Sequence, residues 1–127
     1  MITADTSTWV AFLAGDSGDD VLLLKKALQD HQLVMLPVVL TELLSDPNLP
    51  SHVAASLTDL PLIELDPGFW YCAGLLCAKV LAKRRRARLA DSLIAQLCLD
   101  AHLSLITRDR DFRSFAELSS LHLLLSP

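Results

Sequence analysis

The 127-residue chain is short of most features that announce a function. It holds three cysteines, Cys72, Cys77 and Cys98, an odd number with no CxxC pair, so neither a disulfide framework nor a cysteine zinc site is indicated. They read as small apolar filler in helices. The four histidines, His31, His52, His102 and His122, have no ligand spacing with one another. No Gly-rich phosphate loop occurs; GDSGD is acidic and lacks the P-loop lysine. No Ser-His-Asp pattern has a supporting elbow sequence. No uncharged apolar run approaches transmembrane length. The opening MITADTSTW has no basic region ahead of an apolar one, so a cytoplasmic location is expected.

What is present is a large apolar fraction, 52% of residues, with only 4 Gly and 6 Pro. That excludes a disordered or fibrous chain and predicts one domain over 1–127. The net charge of -4 speaks against a nucleic-acid partner until its distribution is read. Residues 1–66 carry ten acidic side chains against Lys25 and Lys26, whereas residues 79–127 carry nine basic against five acidic. A local basic patch, not the average, is what meets phosphate.

Short apolar strands alternate with helical patterns. Strands are expected at 1–5, at Leu33–Leu36, at 62–65, at Leu105–Thr107 and at 121–125. Helices are expected at 8–14, from Asp19 or Asp20 as cap to Asp30, from Pro37 through VVLTELLS, over SHVAASLTDL, and from Asp66-Pro67-Gly68 to KRRRAR. Another runs from Ala90-Asp91 to His102, with Leu93, Ile94, Leu97, Cys98 and Ala101 inward, and a short one covers Phe115–Leu118. The alternation argues for an α/β domain of three layers, with a mainly parallel sheet of about four to five short strands covered on both faces.

Carboxylates recur where these elements meet. Asp5 ends the first strand, and Asp109 follows the strand Leu105–Thr107. Glu42 is a charge inside the apolar VVLTELL, and Asp91 opens LADSLIAQLC. Each has a plain structural reading as cap, turn or surface residue. A parallel sheet nevertheless gathers the ends of distant strands at one edge. Carboxylates converging there repel one another unless a cation joins them, and oxygen donors suit Mg²⁺ or Mn²⁺. The arginines of KRRRAR (Arg84, Arg85, Arg86, Arg88) and of RDRDFR (Arg108, Arg110, Arg113) offer contacts to backbone phosphates. Phe112, Phe115, Trp9 and Trp70 read as packing residues rather than base-stacking platforms. Residues 21–28 and 39–44 are apolar beyond one narrow stripe and leave room for a partner or a second copy.

Several pieces in order, ADTSTWVAFL, VLTELL around Glu42, and LADSLIAQLCLDAHLSLITRDRDF, resemble the PIN-domain proteins, near the VapC-type toxins of prokaryotic toxin–antitoxin pairs. The resemblance spans nearly the whole chain. It implies that Asp5, Glu42, Asp91 and Asp109 form an Mg²⁺ or Mn²⁺ site that cuts RNA. It also implies that Thr6, Ser7 and Thr107 help position the site, with Asp111 a further candidate. An antitoxin partner and a homodimer are implied as well. The KRRRAR run is denser in arginine than the resemblance accounts for. A PIN-like domain that binds without cutting, and a nuclease acting on DNA, stay open as alternatives. A phosphatase is disfavoured, because Ser7 stands where its second aspartate belongs.

Overall fold

A computed structural model describes residues 1–125 and 127; Ser126, part of the expected 1–127 domain, lies outside the described residues. The chain begins with β1 (Ile2–Ala4), which runs directly into α1 (Thr6–Leu13). The helix starts two residues earlier than expected because Asp5 caps it, its carboxylate accepting the Thr8 N–H. Then come α2 (Asp19–Gln29), α3 (Pro37–Leu44), α4 (Ser51–Thr58), α5 (Phe69–Ala82) and α6 (Leu89–Ala101). β2 (Ser104–Ile106), α7 (Phe112–Leu118) and β3 (His122–Leu123) complete the order. Pro37 occupies the first turn of α3, where its missing N–H costs nothing.

The sheet is parallel, in the order β1-β2-β3, with Thr3 opposite Leu105 and Leu105 opposite Leu123. Helices flank it on both faces, as expected for an α/β/α fold. The strand count differs from the four to five anticipated: three strands form among the described residues. Leu33–Leu36 and the segment around Leu62 are extended but reach their neighbours only through single parallel bridges, Ile2 to Leu33 and Met35 to Leu62. The cause is local. The Val34 N–H donates to Ile2 and the Met35 N–H to Pro61, so the segment divides its bonds between two sides. Pro37 then turns the chain into a helix before a second bridge forms on either side.

Burial follows the apolar pattern closely. Ala4, Met35, Leu36, Leu105 and Ile106 are fully buried in the sheet layer. Ile94, Leu97 and Cys98 cover it from α6, while Leu93 and Ala101 are only partly buried at the edge of that face. Phe112 and Phe115 are fully buried with ring centroids 6.0 Å apart. They start α7 three residues before its expected beginning and fix the loop ahead of it. β3 is shorter than the predicted 121–125. Trp9 is buried as expected, but Trp70 is 66% exposed and Cys72 is also exposed, so neither is core filler. Both sit on α5 where no element among the described residues covers them.

Asp20 has a larger role than helix capping. Gly18 is the N-cap of α2, and Asp20 lies in the first turn, buried. Its carboxylate accepts from Arg108 Nε at 2.8 Å and Nη2 at 2.9 Å, and from Thr8 Oγ1 at 2.9 Å. This bidentate pair ties α2 to the loop after β2. Gly18 is needed beside it: its φ is 150°, and a Cβ there would come within 2.6 Å of Asp20 Oδ1 and 2.9 Å of Arg108 Nη2.

The Arg108 hydrogen bonds hold the Asp20 carboxyl below the usual carboxylate range. A depressed pKa contributes stability above the unfolded value of 3.8 and loses it as pH falls through the folded value. Arg108→Ala is therefore expected to lower stability at pH 7 by about 1–2 kcal/mol, given that the arginine is partly in solvent. The gap should narrow as pH falls below 3.8 in urea denaturation. A gap of constant size across that range would mean that packing, not the ion pair, carries the effect.

Candidate metal centre

The site begins with a carboxylate fixed by its own helix. Asp5 follows β1, and its N–H donates to the Ile106 carbonyl at 3.0 Å, which sets it beside the end of β2. Its side chain is buried. Oδ1 accepts from the Thr8 N–H at 3.1 Å, and the Ser7 hydroxyl lies 2.8 Å from each oxygen. The Thr107 hydroxyl donates to Oδ2 at 2.7 Å across 102 residues of sequence. Burial dominates and raises the Asp5 pKa despite these bonds, with Asp109 adding to the rise.

Thr107 links this carboxylate to the next. Its oxygen donates to Asp5 and accepts from the Asp109 N–H at 3.0 Å. Asp109 in turn accepts the Asp111 N–H at 2.9 Å, an Asx turn that shapes RDRD. The alternation thereby has a structural purpose. Asp109 and Asp111, two residues apart in a turn, face the same place. Arg108 points the other way, to Asp20.

Asp91 approaches from α6. Arg88, not Asp91, is the N-cap, and Asp91 lies in the first turn. One oxygen from each of Asp91, Asp109 and Asp111 falls within 4.8 Å of the others. Asp5 and Glu42 are outside that group of three. Asp5 is still close enough to raise the Asp91 pKa by its charge. Glu42 stands at the surface of α3 and accepts a hydrogen bond from Thr6 Oγ1 at 2.6 Å. The structure thus brings together Asp91, Asp109 and Asp111, with Asp5 held nearby by Ser7 and Thr107, while Glu42 lies outside that group of three and is bonded to Thr6. Asp111, whose place the sequence left open, is among the three.

Two observations bear on whether a cation fits there. Asp91 Oδ2 is buried and has no hydrogen-bond partner. A buried carboxylate oxygen without a donor is costly unless something positive completes it. Desolvation first, and the neighbouring Asp109 next, push the Asp91 pKa to about 6, with Arg88 opposing. Three carboxylates in mutual repulsion, one of them with an unpartnered oxygen, suit a divalent cation of the Mg²⁺ or Mn²⁺ kind.

The arginines divide into engaged and open groups. Arg108 is bound to Asp20, so its head is not presented to a phosphate. Arg85 reaches Glu117 at 3.1 Å and Ser114 Oγ at 3.5 Å. Arg86 stands 3.8 Å from Asp111 Oδ2 with most of its side chain in solvent. Arg84, Arg88, Arg110 and Arg113 are exposed. Arg84 adopts a left-handed φ of 56°, which ends α5 and turns the basic run back toward α7. The one role the sequence concealed is that of Asp20. Its partner lies 88 residues away, and no local pattern pairs them.

The raised Asp91 pKa predicts a pH dependence of opposite sign to that of Asp20. A raised carboxyl costs nothing below the unfolded value of 3.8, and stability is lost as pH rises through about 6. In the metal-free protein Asp91→Asn should therefore be more stable than the parent above pH 6, by about 1 kcal/mol once solvent screening is allowed for. The difference should vanish near pH 4. Thermal melts at the two pH values, with and without added Mn²⁺, check this: Mn²⁺ should raise the parent's Tm and leave the variant's nearly unmoved.

Comparison with known proteins agrees with this architecture. The PIN domain family model matches residues 2–118. No curated protein matches the chain. Among solved structures, the chain is similar to VapBC-5 from Mycobacterium tuberculosis, described as a member of the VapBC family of toxin-antitoxin systems. The two are 22% identical over 96% of this chain and 95% of that one, with a TM-score of 0.67. It is also similar to FitAcB from Neisseria gonorrhoeae, 14% identical over 99% of this chain and 98% of that one, with a TM-score of 0.70. At such identities the likeness establishes the fold.

Proposed function

Because the chain belongs to the PIN domain family, we propose that it is a metal-dependent ribonuclease, the toxin of a type II toxin–antitoxin pair, acting in the cytoplasm. The observation that carries the reading is the trio Asp91, Asp109 and Asp111 with its unpartnered buried oxygen. These three carboxylates would hold Mg²⁺ or Mn²⁺. When bound, the ion supplies a water of lowered pKa and positive charge beside the phosphoryl group. Asp5 adds negative charge near the trio, and Ser7 and Thr107 hold it there. Glu42, exposed on α3 and steadied by Thr6, would add a further carboxylate at the rim of the site.

An acidic centre needs a basic approach to receive RNA. Arg86, Arg88 and Arg110 suit this role best, because they are exposed and lie beside the trio, and Arg84 adds a further exposed arginine to the same basic run. Arg85 contributes with its exposed part despite the contact with Glu117. Arg86 is a counter-charge to Asp111 that a substrate phosphate can take over. Partner binding is part of the reading. A groove of about 350 Å³ lined by Val10, Leu13, Leu43, Leu49 and Val53 opens beside Glu42 and suits an apolar segment of an antitoxin. The resemblance of fold to VapBC-5 supports such a partner. No helix among the described residues is long and apolar enough to cross a membrane.

The decisive experiment incubates purified protein with total cellular RNA, and separately with single-stranded DNA, in Mg²⁺, in Mn²⁺ and in chelator. Cleavage of RNA should require the metal and fall by at least about 100-fold in both Asp91→Asn and Asp109→Asn. Equal cutting by all three proteins would assign the activity to a contaminant, and cutting confined to DNA would replace ribonuclease by deoxyribonuclease.

Binding to RNA can be measured apart from cutting, with Asp91→Asn as background. Adding Arg85→Gln and Arg86→Gln should weaken binding and flatten the plot of log Kd against log salt by about one to two charges' worth. An unchanged slope would remove these two arginines from the phosphate path.

A further inference from the structure

Arg108 carries the wrong sign of charge for a cation site, one residue before Asp109. Its guanidinium is near enough to Asp5 for the two charges to interact. By its field alone it should repel a divalent ion from the trio. Three hydrogen bonds nevertheless hold it against the protein. Nε and Nη2 donate to Asp20 at 2.8 and 2.9 Å, and Nη2 also donates to the Ser17 carbonyl at 3.3 Å.

The mechanics of the turn at 107–111 give this contact a purpose. Internal bonds set the shape of the turn: the Asp109 N–H to Thr107 Oγ1, the Asp111 N–H to Asp109 Oδ1, and the Phe112 N–H to the Asp109 carbonyl. They do not set its placement on the protein. Two anchors at its ends do that, the buried Thr107 bonded to Asp5 and the fully buried Phe112. Two anchors leave a segment free to tilt about the line joining them. A third tie off that line removes the freedom, and the Arg108 side chain supplies it by reaching α2. The solvated Arg86, 3.8 Å from Asp111, adds little restraint.

The tie also closes a ring. Asp20 Oδ2 accepts from Thr8 Oγ1 at 2.9 Å, and the Thr8 N–H donates to Asp5 Oδ1. Asp5 Oδ2 then accepts from Thr107, the chain neighbour of Arg108. Asp5 and the turn are thereby held in one frame with α1 and α2.

We propose that Asp20 and Arg108 are a positioning pair for the metal centre, fixing the tilt of the 107–111 turn so that Asp109 and Asp111 meet Asp91. Neither is one of the three carboxylates that would hold the ion. The pair's role rests on the metal reading of the trio. Its sign is opposite to that of the arginine's charge. Placement outweighs field here, because Asp20 in contact with Arg108 already offsets the charge, whereas ligand positions act at bond distance.

Calorimetric titration of the full chain with Mn²⁺ alone tests this without reference to cleavage. Arg108→Gln removes a positive charge, so a field effect would tighten Mn²⁺ binding, whereas lost positioning should raise the Kd at least about tenfold. Arg108→Lys keeps the charge without the two-pronged contact and should also raise it. Gly18→Ala alters no charge, but its Cβ would lie 2.6 Å from Asp20 Oδ1 and 2.9 Å from Arg108 Nη2, so the pair must shift. It too should raise the Kd about tenfold. These two variants keep the test decisive if an uncompensated Asp20 stops Arg108→Gln from folding.

Gly15→Ala is the control. It strains the same loop at a φ of 77°, where a Cβ meets no atom within 4 Å. It should lower stability and leave the Mn²⁺ Kd within about twofold of the parent's. Unchanged or tighter binding in Arg108→Lys and Gly18→Ala, or equal weakening in Gly15→Ala, would overturn the proposal. A parent that binds no Mn²⁺ would overturn the metal reading and this role with it. A parent that binds Mn²⁺ no better than its variants would remove the positioning role and leave the metal reading intact.

Discussion

Everything at the candidate centre depends on one hydrogen bond, from the Thr107 hydroxyl to Asp5, which joins the two ends of the chain. Its geometry exists because β1 and β2 are parallel neighbours in register, Ala4 against Ile106. That register delivers the next residue of each strand, Asp5 and Thr107, to the same edge. The same Thr107 oxygen accepts the Asp109 N–H and so begins the turn that presents Asp109 and Asp111. If the register slipped by one residue, the side chains would change faces and the relay would break. Sheet pairing, helix capping and carboxylate placement meet at this one pair of residues.

The electrostatics follow from how unequally the acids are compensated. Asp20 has a bidentate arginine and a threonine, and its pKa is lowered. Asp5 has two hydroxyls and a backbone N–H, yet burial still raises its pKa. Asp91 has a buried oxygen with no partner, and its pKa rises to about 6. The chain therefore neutralises the acid that ties elements together and leaves Asp91, beside Asp109 and Asp111, with an unpartnered oxygen. Stability is given up at one place and recovered at another, a pattern expected where a ligand completes the site. The arginines obey the same division. Arg108 is internal cement, and Arg86 sits at the rim within 3.8 Å of Asp111.

The fold was legible where periodicity is strong. The long helical runs, the buried β1 and β2, and Pro37 at a helix start all follow from local pattern. The extended segments around Leu33 and Leu62 looked the same in sequence, as short buried apolar runs. They become full strands only if two consecutive bridges form, and neighbouring prolines and divided bonding prevent that. Trp70 and Cys72 depart from their local pattern for a related reason. An apolar residue on a helix carries no mark of whether its own chain or another covers it.

By itself the sequence determined which chemistry is available. It has no cysteine or histidine ligand cluster, many carboxylates at strand and helix ends, and a basic second half; spacing alone set Asp109 and Asp111 two residues apart. Tertiary structure decided which carboxylates share a space. It joined Asp91 to Asp109 and Asp111, set Asp5 near them and bonded Glu42 of α3 to Thr6 of α1. It also took Arg108 from the open surface and gave it to Asp20. The physical reason is range. Residue type and local period act over a few positions, whereas carboxylate repulsion and ion pairing act over a few ångströms between residues that only the parallel sheet brings together.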